Sequence, residues 1–397
     1  MKVLRFDFSR VREDGIDIHK LEMNADINII TGRNGVGKTT ALKLLWLLLS
    51  GNLKQAISEC SFKVVFLETD EYRLLIGRNV DGSVERMFFK NKDVSYHYDS
   101  SEEGGDGIYG ENENKKNRPL FESIIQKEFL LTIGREDRLT QILSRITSEL
   151  LVIGSSLYFP TFRRIEGGFS PGDSKSKGSI SNDLEDALSA LSRKFSRGGH
   201  LFVSSFSMND VSQFLLKEYS NLNDISSAET NSLSQKIILM IKSHKDSRNN
   251  LNDANQLLGN ILENIERNEQ VRANLMKPLT AVQRVVSKIF RHKGINFGEN
   301  LNFGDAASAV NSDKLSAGEK QLLSFICYNA FFNNAVFIID EPELSLHVDW
   351  QRSFFKILLD QNSSNQFIVS THSPFIYAKY PDKEVSLNED RGEGEVE

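Results

Sequence analysis

Ile27-Asn28-Ile29-Ile30-Thr31-Gly32-Arg33-Asn34-Gly35-Val36-Gly37-Lys38-Thr39-Thr40, continued by Ala41-Leu42-Lys43-Leu44-Leu45-Trp46-Leu47-Leu48-Leu49, decides how this chain is read. An apolar strand runs into a glycine-rich turn, and the turn opens a helix. Gly32, Gly37, Lys38 and Thr39 fit the G-x-x-x-x-G-K-[ST] phosphate loop. Glycines let successive backbone N–H groups turn inward around phosphate oxygens, and the helix aims its positive end at them. Arg33, Asn34, Gly35, Val36 and Gly37 form the cradle. Lys38 is placed for the β- and γ-phosphates of ATP, the Thr39 hydroxyl for Mg²⁺, and Thr40 follows in the first turn.

Working outward, the 39% hydrophobic and 26% charged composition is that of a globular chain. Its 397 residues allow two or three compact units, or one large head with insertions. No uncharged apolar run reaches the roughly 18–20 residues that span a bilayer, so no membrane partner is expected. Val3–Phe8 alternates like a strand, unlike a signal peptide, and Cys60 and Cys327 sit in unrelated contexts. A cytoplasmic protein without a metal–cysteine site is expected. The net charge of −6 argues against a broad nucleic-acid-coating surface, although a local groove for DNA stays open.

Along the chain, Val3–Phe8 and Ile27–Ile30 read as strands joined by a polar stretch. Phe62–Glu68, Tyr72–Ile76 and Val84–Phe89 read as an antiparallel meander. Residues 99–117 are almost devoid of apolar side chains and read as a surface insertion. Leu157-Tyr158-Phe159-Pro160-Thr161-Phe162-Arg163-Arg164 is a strand ended by proline. Its two arginines are either solvated strand-end charges or groups placed near nucleotide or partner. Residues 167–182 read as a second loop, and Leu184, Leu188, Leu191 and Phe195 as one face of a helix. His200–Val203 returns to strand. Residues 208–293 read as helices, with Leu251, Leu258 and Ile265 seven apart; two heptads indicate a packed helical arm or bundle.

Four further stretches complete the picture. Leu315-Ser316-Ala317-Gly318-Glu319 precedes a helix, so the Ser316 hydroxyl and Gly318 amide, with Glu319 beside them, are candidate phosphate contacts. Val336-Phe337-Ile338-Ile339-Asp340-Glu341 is an apolar strand capped by carboxylates. Asp340 is placed to hold Mg²⁺, and Glu341 to orient or deprotonate the attacking water. Gln366–Ser370 is another buried strand, and His372 beyond it is placed near the γ-phosphate. Residues at the C-terminal ends of parallel strands point into the ligand crevice.

Phosphate loop, Leu315–Glu319 signature, Asp340-Glu341-Pro342 and the switch histidine His372, in this order, resemble the ATP-binding-cassette ATPases. The resemblance implies an α/β P-loop head, a mixed sheet with flanking helices, carrying a helical insertion. It implies catalytic roles for Lys38, Glu341 and His372. It also implies a head-to-tail homodimer, or an assembly of dimers, in which Ser316, Gly318 and Glu319 of one copy close over ATP held by the other. The family's glutamine loop falls on Tyr158–Glu166, which contains no glutamine. The roughly 275 residues between loop and signature are too few for the long arms of chromosome-maintenance ATPases. Phe159–Glu166 and Glu341-Pro342-Glu343-Leu344-Ser345-Leu346-His347 are similar to the overcoming-lysogenisation-defect and RecF-like group. Within it, they resemble the ATPases of PARIS-type, retron- and Septu-associated anti-phage systems.

That resemblance implies a sensor and scaffold that holds a separate effector, such as a Toprim-type nuclease, until a phage-encoded trigger acts. With 25 residues after His372, no Toprim domain is expected in this chain. A RecF-like DNA-repair ATPase is the alternative, and a signalling head with little hydrolysis a further one. The expected organisation is 1–98, first part of the head; 99–182, insertions with the Arg163–Arg164 loop; and 183–295, helical insertion. Residues 296–385 form the second part of the head, and 386–397 an acidic tail.

Overall fold

The computed structural model describes residues 1–12, 15–33, 35–100, 135–161, 190–203, 208–244, 251–290, 316–344, 346–361 and 364–387. Asn34, Arg163, Arg164, Leu184, Leu188, Leu315, the loop expected at 167–182, most of the stretch 99–117 and residues 388–397 of the acidic tail lie outside them. The chain divides into two units: 1–205 with 332–354 and 364–397, and 206–331 with 355–363.

Among the described residues, the first unit contains two six-stranded sheets. One is antiparallel, in the order β2-β1-β4-β5-β6-β7. Its strands are β1 (Val3–Arg12), β2 (Gly15–Glu22), β4 (Val64–Thr69), β5 (Arg73–Arg78), β6 (Val84–Lys90) and β7 (Ser95–Asp99). The meander is as the alternation predicts. The stretch after Phe8, expected as a polar connection, instead continues β1 and returns as β2. β2 is an edge strand, so a side chain such as Ile18 can remain 68% exposed and the hydrophobic signal is diluted.

The other sheet is parallel throughout, in the order β12-β3-β11-β10-β8-β9. β3 (Ile27–Thr31), β10 (Val336–Asp340) and β11 (Gln366–Ser370) are buried at every residue, as is β8 (Ser156–Phe159); β9 (His200–Phe202) and β12 (Glu384–Ser386) flank them. Continuous Ile, Val and Phe runs are what a sheet covered on both faces requires.

Helix α1 (Lys38–Leu49) is apolar nearly all round because its surroundings are. Leu42, Leu45 and Trp46 belong to one core with Val65, Leu67 and Leu74 of the antiparallel sheet and Ile30, Ile338 and Ile368 of the parallel one. Trp46 stacks on Tyr158 with ring centroids 5.7 Å apart. The buried Gln366 amide spans the sheets: its Oε1 accepts from Val3 N at 2.8 Å, and its Nε2 donates to the Val3 and Asn24 carbonyls.

Two further helices of this unit are α2 (Leu53–Glu59) and α3 (Arg135–Val152). The expected boundaries shift here. Residues 99–182 hold α3 and the interior strand β8, and the stretch expected as helical insertion includes β9 of the parallel sheet.

The described residues of the second unit are mainly helical. α4 (Met208–His244) and α5 (Leu251–Phe290) are 37 and 40 residues long, about 55–60 Å at 1.5 Å per residue. α6 (Ala317–Phe331) belongs with them, where the sequence reading had assigned it to the head. Arg284 Nη2 on α5 donates to the Asp360 carbonyl at 2.5 Å, just beyond α7 (Val348–Leu359). Phe214 of α4 packs on Tyr328 of α6 at 4.9 Å. Leu258 of the apolar repeat and Leu262 nearby are 64% and 59% exposed.

Candidate functional site

Strand register in the parallel sheet aligns the chemistry. Ile30 lies opposite Ser370, Ser370 opposite Asp340, and Ile339 opposite Phe159. The chain therefore leaves β3, β11, β10 and β8 at one edge, delivering the phosphate loop, His372, Asp340-Glu341 and Thr161 there.

In the loop, Gly35 (φ 80°) and Gly37 (φ 98°) occupy the left-handed region that side chains disfavour. Gly37 is the residue from which α1 starts, and its carbonyl accepts the Ala41 amide. Val36 is anchored in the core, so only its backbone is available to a ligand, and its N–H currently donates to the Arg33 carbonyl at 3.3 Å. Arg33, Gly35, Thr39 and Thr40 are exposed. Lys38 is only 5% exposed, and its Nζ donates to the carbonyls of Gly32 (2.8 Å) and Arg33 (3.2 Å). Burial lowers its pKa, against the opposing pull of Glu341, Asp340 and Glu343.

Across from the loop, Asp340 is 2% exposed and its two carboxylate oxygens accept from the hydroxyls of Thr161 and Ser370. Glu341 adopts φ 49°, a strained backbone for a side-chain-bearing residue, and its N–H donates to the Ser370 carbonyl at 3.0 Å. Its Oε1 lies 3.8 Å from His372 Nε2. Burial, then the charges of Asp340 and Glu343, raise its pKa above the ordinary carboxylate range, while His372 and Lys38 hold it down. A raised pKa makes a better proton acceptor.

Glu343 was not singled out from sequence. Its Oε1 accepts the His372 N–H at 2.6 Å, tying the loop after β10 to the loop after β11, and its buried Oε2 has no hydrogen-bond partner. The signal that could have found it is the repeated acid in Asp340-Glu341-Pro342-Glu343. Ser373, which caps the short helix α8 (Pro374–Tyr377), donates to Gln351 Oε1 of α7 at 2.6 Å.

These residues fit Mg-ATP. Thr39 and Asp340 supply the hard oxygen donors that Mg²⁺ takes, a buried ammonium sits among carboxylates, and the glycine loop heads a helix. Among the described residues no three His, Cys, Asp or Glu side chains gather as a metal cage, and a phosphate-bridging Mg²⁺ needs none.

Ser316, Gly318 and Glu319 lie in the second unit, at the start of α6. Ser316 N donates to Glu319 Oε2 at 2.8 Å, and Glu319 N approaches Ser316 Oγ at 3.4 Å. This is a reciprocal capping box. Glu319 is thus engaged at the cap, Ser316 is exposed, and the amides of the first turn belong to a helix N-terminus.

A family model described as "AAA domain, putative AbiEii toxin, Type IV TA system" matches residues 27–378, from β3 through α8. No curated protein matches the chain. Among solved structures, the chain is similar to the Smc head domain with an extended coiled coil, bound to the C-terminal domain of ScpA, from Pyrococcus furiosus. Identity is 14% and the TM-score 0.35, covering 95% of this chain and 91% of that one. A second Smc head, bound to the C-winged helix domain of ScpA, gives 13% and 0.36 over the same shares.

Proposed function

We propose, for a chain that belongs to the family described as an AAA domain, putative AbiEii toxin of a type IV toxin–antitoxin system, that it is a Mg-dependent ATP hydrolase acting as a switch. The observation that carries this reading is the alignment of Lys38, Asp340, Glu341 and His372 at one edge of the parallel sheet, with His372 3.8 Å from Glu341. Lys38 holds phosphate oxygens, and Thr39 with Asp340 holds the metal. When bound, Mg²⁺ would supply neutralisation of phosphate charge. Glu341 accepts the proton of the attacking water at its carboxylate, its basicity raised by burial. His372, its backbone fixed by Glu343, contacts the γ-phosphate side.

Ser316 and Gly318 act on the ATP of a second copy in a head-to-tail pair. The capped start of α6, at which the Ser316 side chain is exposed while Gly318 and Glu319 are buried, supports a contact through Ser316. ATP closes the pair and hydrolysis reopens it. The family's link to toxin–antitoxin systems, together with the sequence resemblance to anti-phage ATPases, supports a sensor and scaffold in bacterial defence with a separate effector. Two free, buried cysteines, Cys60 and Cys327, accord with a reducing cytoplasm. Among the described residues no helix is long and apolar enough to cross a membrane.

The test is to purify Glu341→Gln in Mg-ATP after co-expression with the neighbouring genes and weigh the particle. A dimer or larger assembly that retains ATP and a second protein is expected. A bare particle carrying DNA, with salt-sensitive DNA stimulation of the wild-type ATPase, would replace this reading with a repair ATPase. A monomer without ATP would remove the trans contact.

A further inference from the structure

We propose that Thr161 is a positioning residue of this site, its hydroxyl holding the Asp340 carboxylate in the orientation that metal binding needs. The inference rests on the ATPase reading above. The stretch after β8 is where the resemblance places a glutamine loop, yet 158–166 contains no glutamine. What the structure puts there is a hydroxyl on the metal-binding carboxylate.

The geometry follows from the sheet order. β10 lies between β11 and β8, and each neighbour contributes one hydroxyl: Ser370 to Asp340 Oδ1 from one side, Thr161 to Oδ2 from the other. Phe159 is opposite Ile339, and Pro160 has no N–H with which to extend the ladder, so the chain leaves the sheet at Pro160. Thr161 is the first residue beyond the strand able to reach back to Asp340. A carboxylate oxygen that accepts one hydrogen bond keeps a lone pair, so the two hydroxyls fix the carboxylate without blocking it.

The two hydroxyls are not equivalent. Ser370 is fully buried and its Oγ also lies 3.3 Å from Glu341 N, which makes it part of the sheet's frame. Thr161 is half-buried and heads the segment that carries Arg163 and Arg164. Groups that orient a metal ligand from behind typically change metal affinity 10–100-fold when removed. A bland role, a hydroxyl that merely satisfies a buried carboxylate, predicts a loss of stability with no metal signature.

The experiment uses the full chain and a fluorescent ATP analogue, titrated with Mg²⁺ and in excess EDTA, alongside the Mg²⁺ concentration for half-maximal hydrolysis. For Thr161→Val, affinity in EDTA is expected to stay within about twofold of wild type, while the gain in affinity on adding Mg²⁺ falls about tenfold. The half-maximal Mg²⁺ concentration is expected to rise by about the same factor. Thr161→Ser, which keeps the donor, is expected to restore both, and Thr161→Ala gives the same readouts if the valine variant folds poorly. Wild-type Mg²⁺ dependence in both donor-lacking variants overturns the proposal. So does an equal loss of affinity with and without Mg²⁺. A wild-type chain that binds no analogue under either condition would instead fell the ATPase reading, and this inference with it.

Discussion

The parallel sheet and the long helix pair use apolar residues in opposite ways. Every residue of β3, β10 and β11 is buried, and polarity returns where the strands end. On α4 and α5, by contrast, Leu239, Leu258 and Leu262 stand more than half exposed. A strand inside a covered sheet has no free face, so hydrophobicity there means burial. Two helices in contact share one seam, and apolar residues outside it remain in solvent unless another surface covers them. The same residue types thus report a core in one region and an open surface in the other.

Breaking the sheet-edge chemistry should have the largest effect. Glu341→Gln is expected to lower ATP hydrolysis by about 10²–10⁴-fold while nucleotide binding persists, read by steady-state turnover against equilibrium binding. Lys38→Ala is expected to lose binding itself. For the sheet's interior, Ile338→Ala should cost about 2–5 kcal/mol in denaturant unfolding, because the fully buried site cannot collapse around the missing atoms.

A third test concerns His200, buried between β8 and α3. Its Nδ1 meets Ser156 Oγ at 2.8 Å, its Nε2 meets the Leu150 carbonyl at 3.2 Å, and burial lowers its pKa to about 4 from 6.5. The unfolded chain takes the proton first as pH falls. This contribution to stability is therefore complete above about pH 6.5 and is lost progressively toward pH 4, by about 3 kcal/mol. Unfolding midpoints across that window should fall in the wild type and flatten in His200→Gln.

Smaller still is the capping box of α6. Ser316→Ala should cost about 1 kcal/mol of stability. Ser316→Asp keeps a capping oxygen at the helix start, so its melting temperature should match wild type, yet its negative charge should repel a partner's phosphate. Loss of hydrolysis without loss of stability in that variant would support the trans contact; unchanged hydrolysis would argue against it. At the bottom of the scale, Leu258→Asn should change the stability of the isolated chain by no more than about 0.5 kcal/mol, since the side chain is already in solvent. A larger loss would mean the surface is covered in solution.

Legibility from sequence followed the same division. The strand, glycine turn and helix at 27–49, the apolar strands ending at Asp340 and Ser370, and the meander were readable because local pattern and final environment agree. α3 was missed although Leu139, Ile142, Ile146 and Leu150 recur at helical spacing, since the polar insertion before it drew the reading. Thr161 carries no local signal strong enough to mark it, and the repeated acid that points to Glu343 does not name its partner. Their roles arise from neighbours far along the chain, His372 and Asp340.

By itself, then, the sequence determined which segments could be strands, where a phosphate could be cradled, and which carboxylates could serve it. Those properties are set within a few residues by side-chain size, backbone freedom and periodicity. Only the tertiary structure decided that Thr161 and Ser370 grip one carboxylate from two sides, that Glu343 fixes the His372 backbone, and that Leu258 and Leu262 stand exposed. These depend on strand order, register and helix pairing, which bring together groups separated by tens to hundreds of residues.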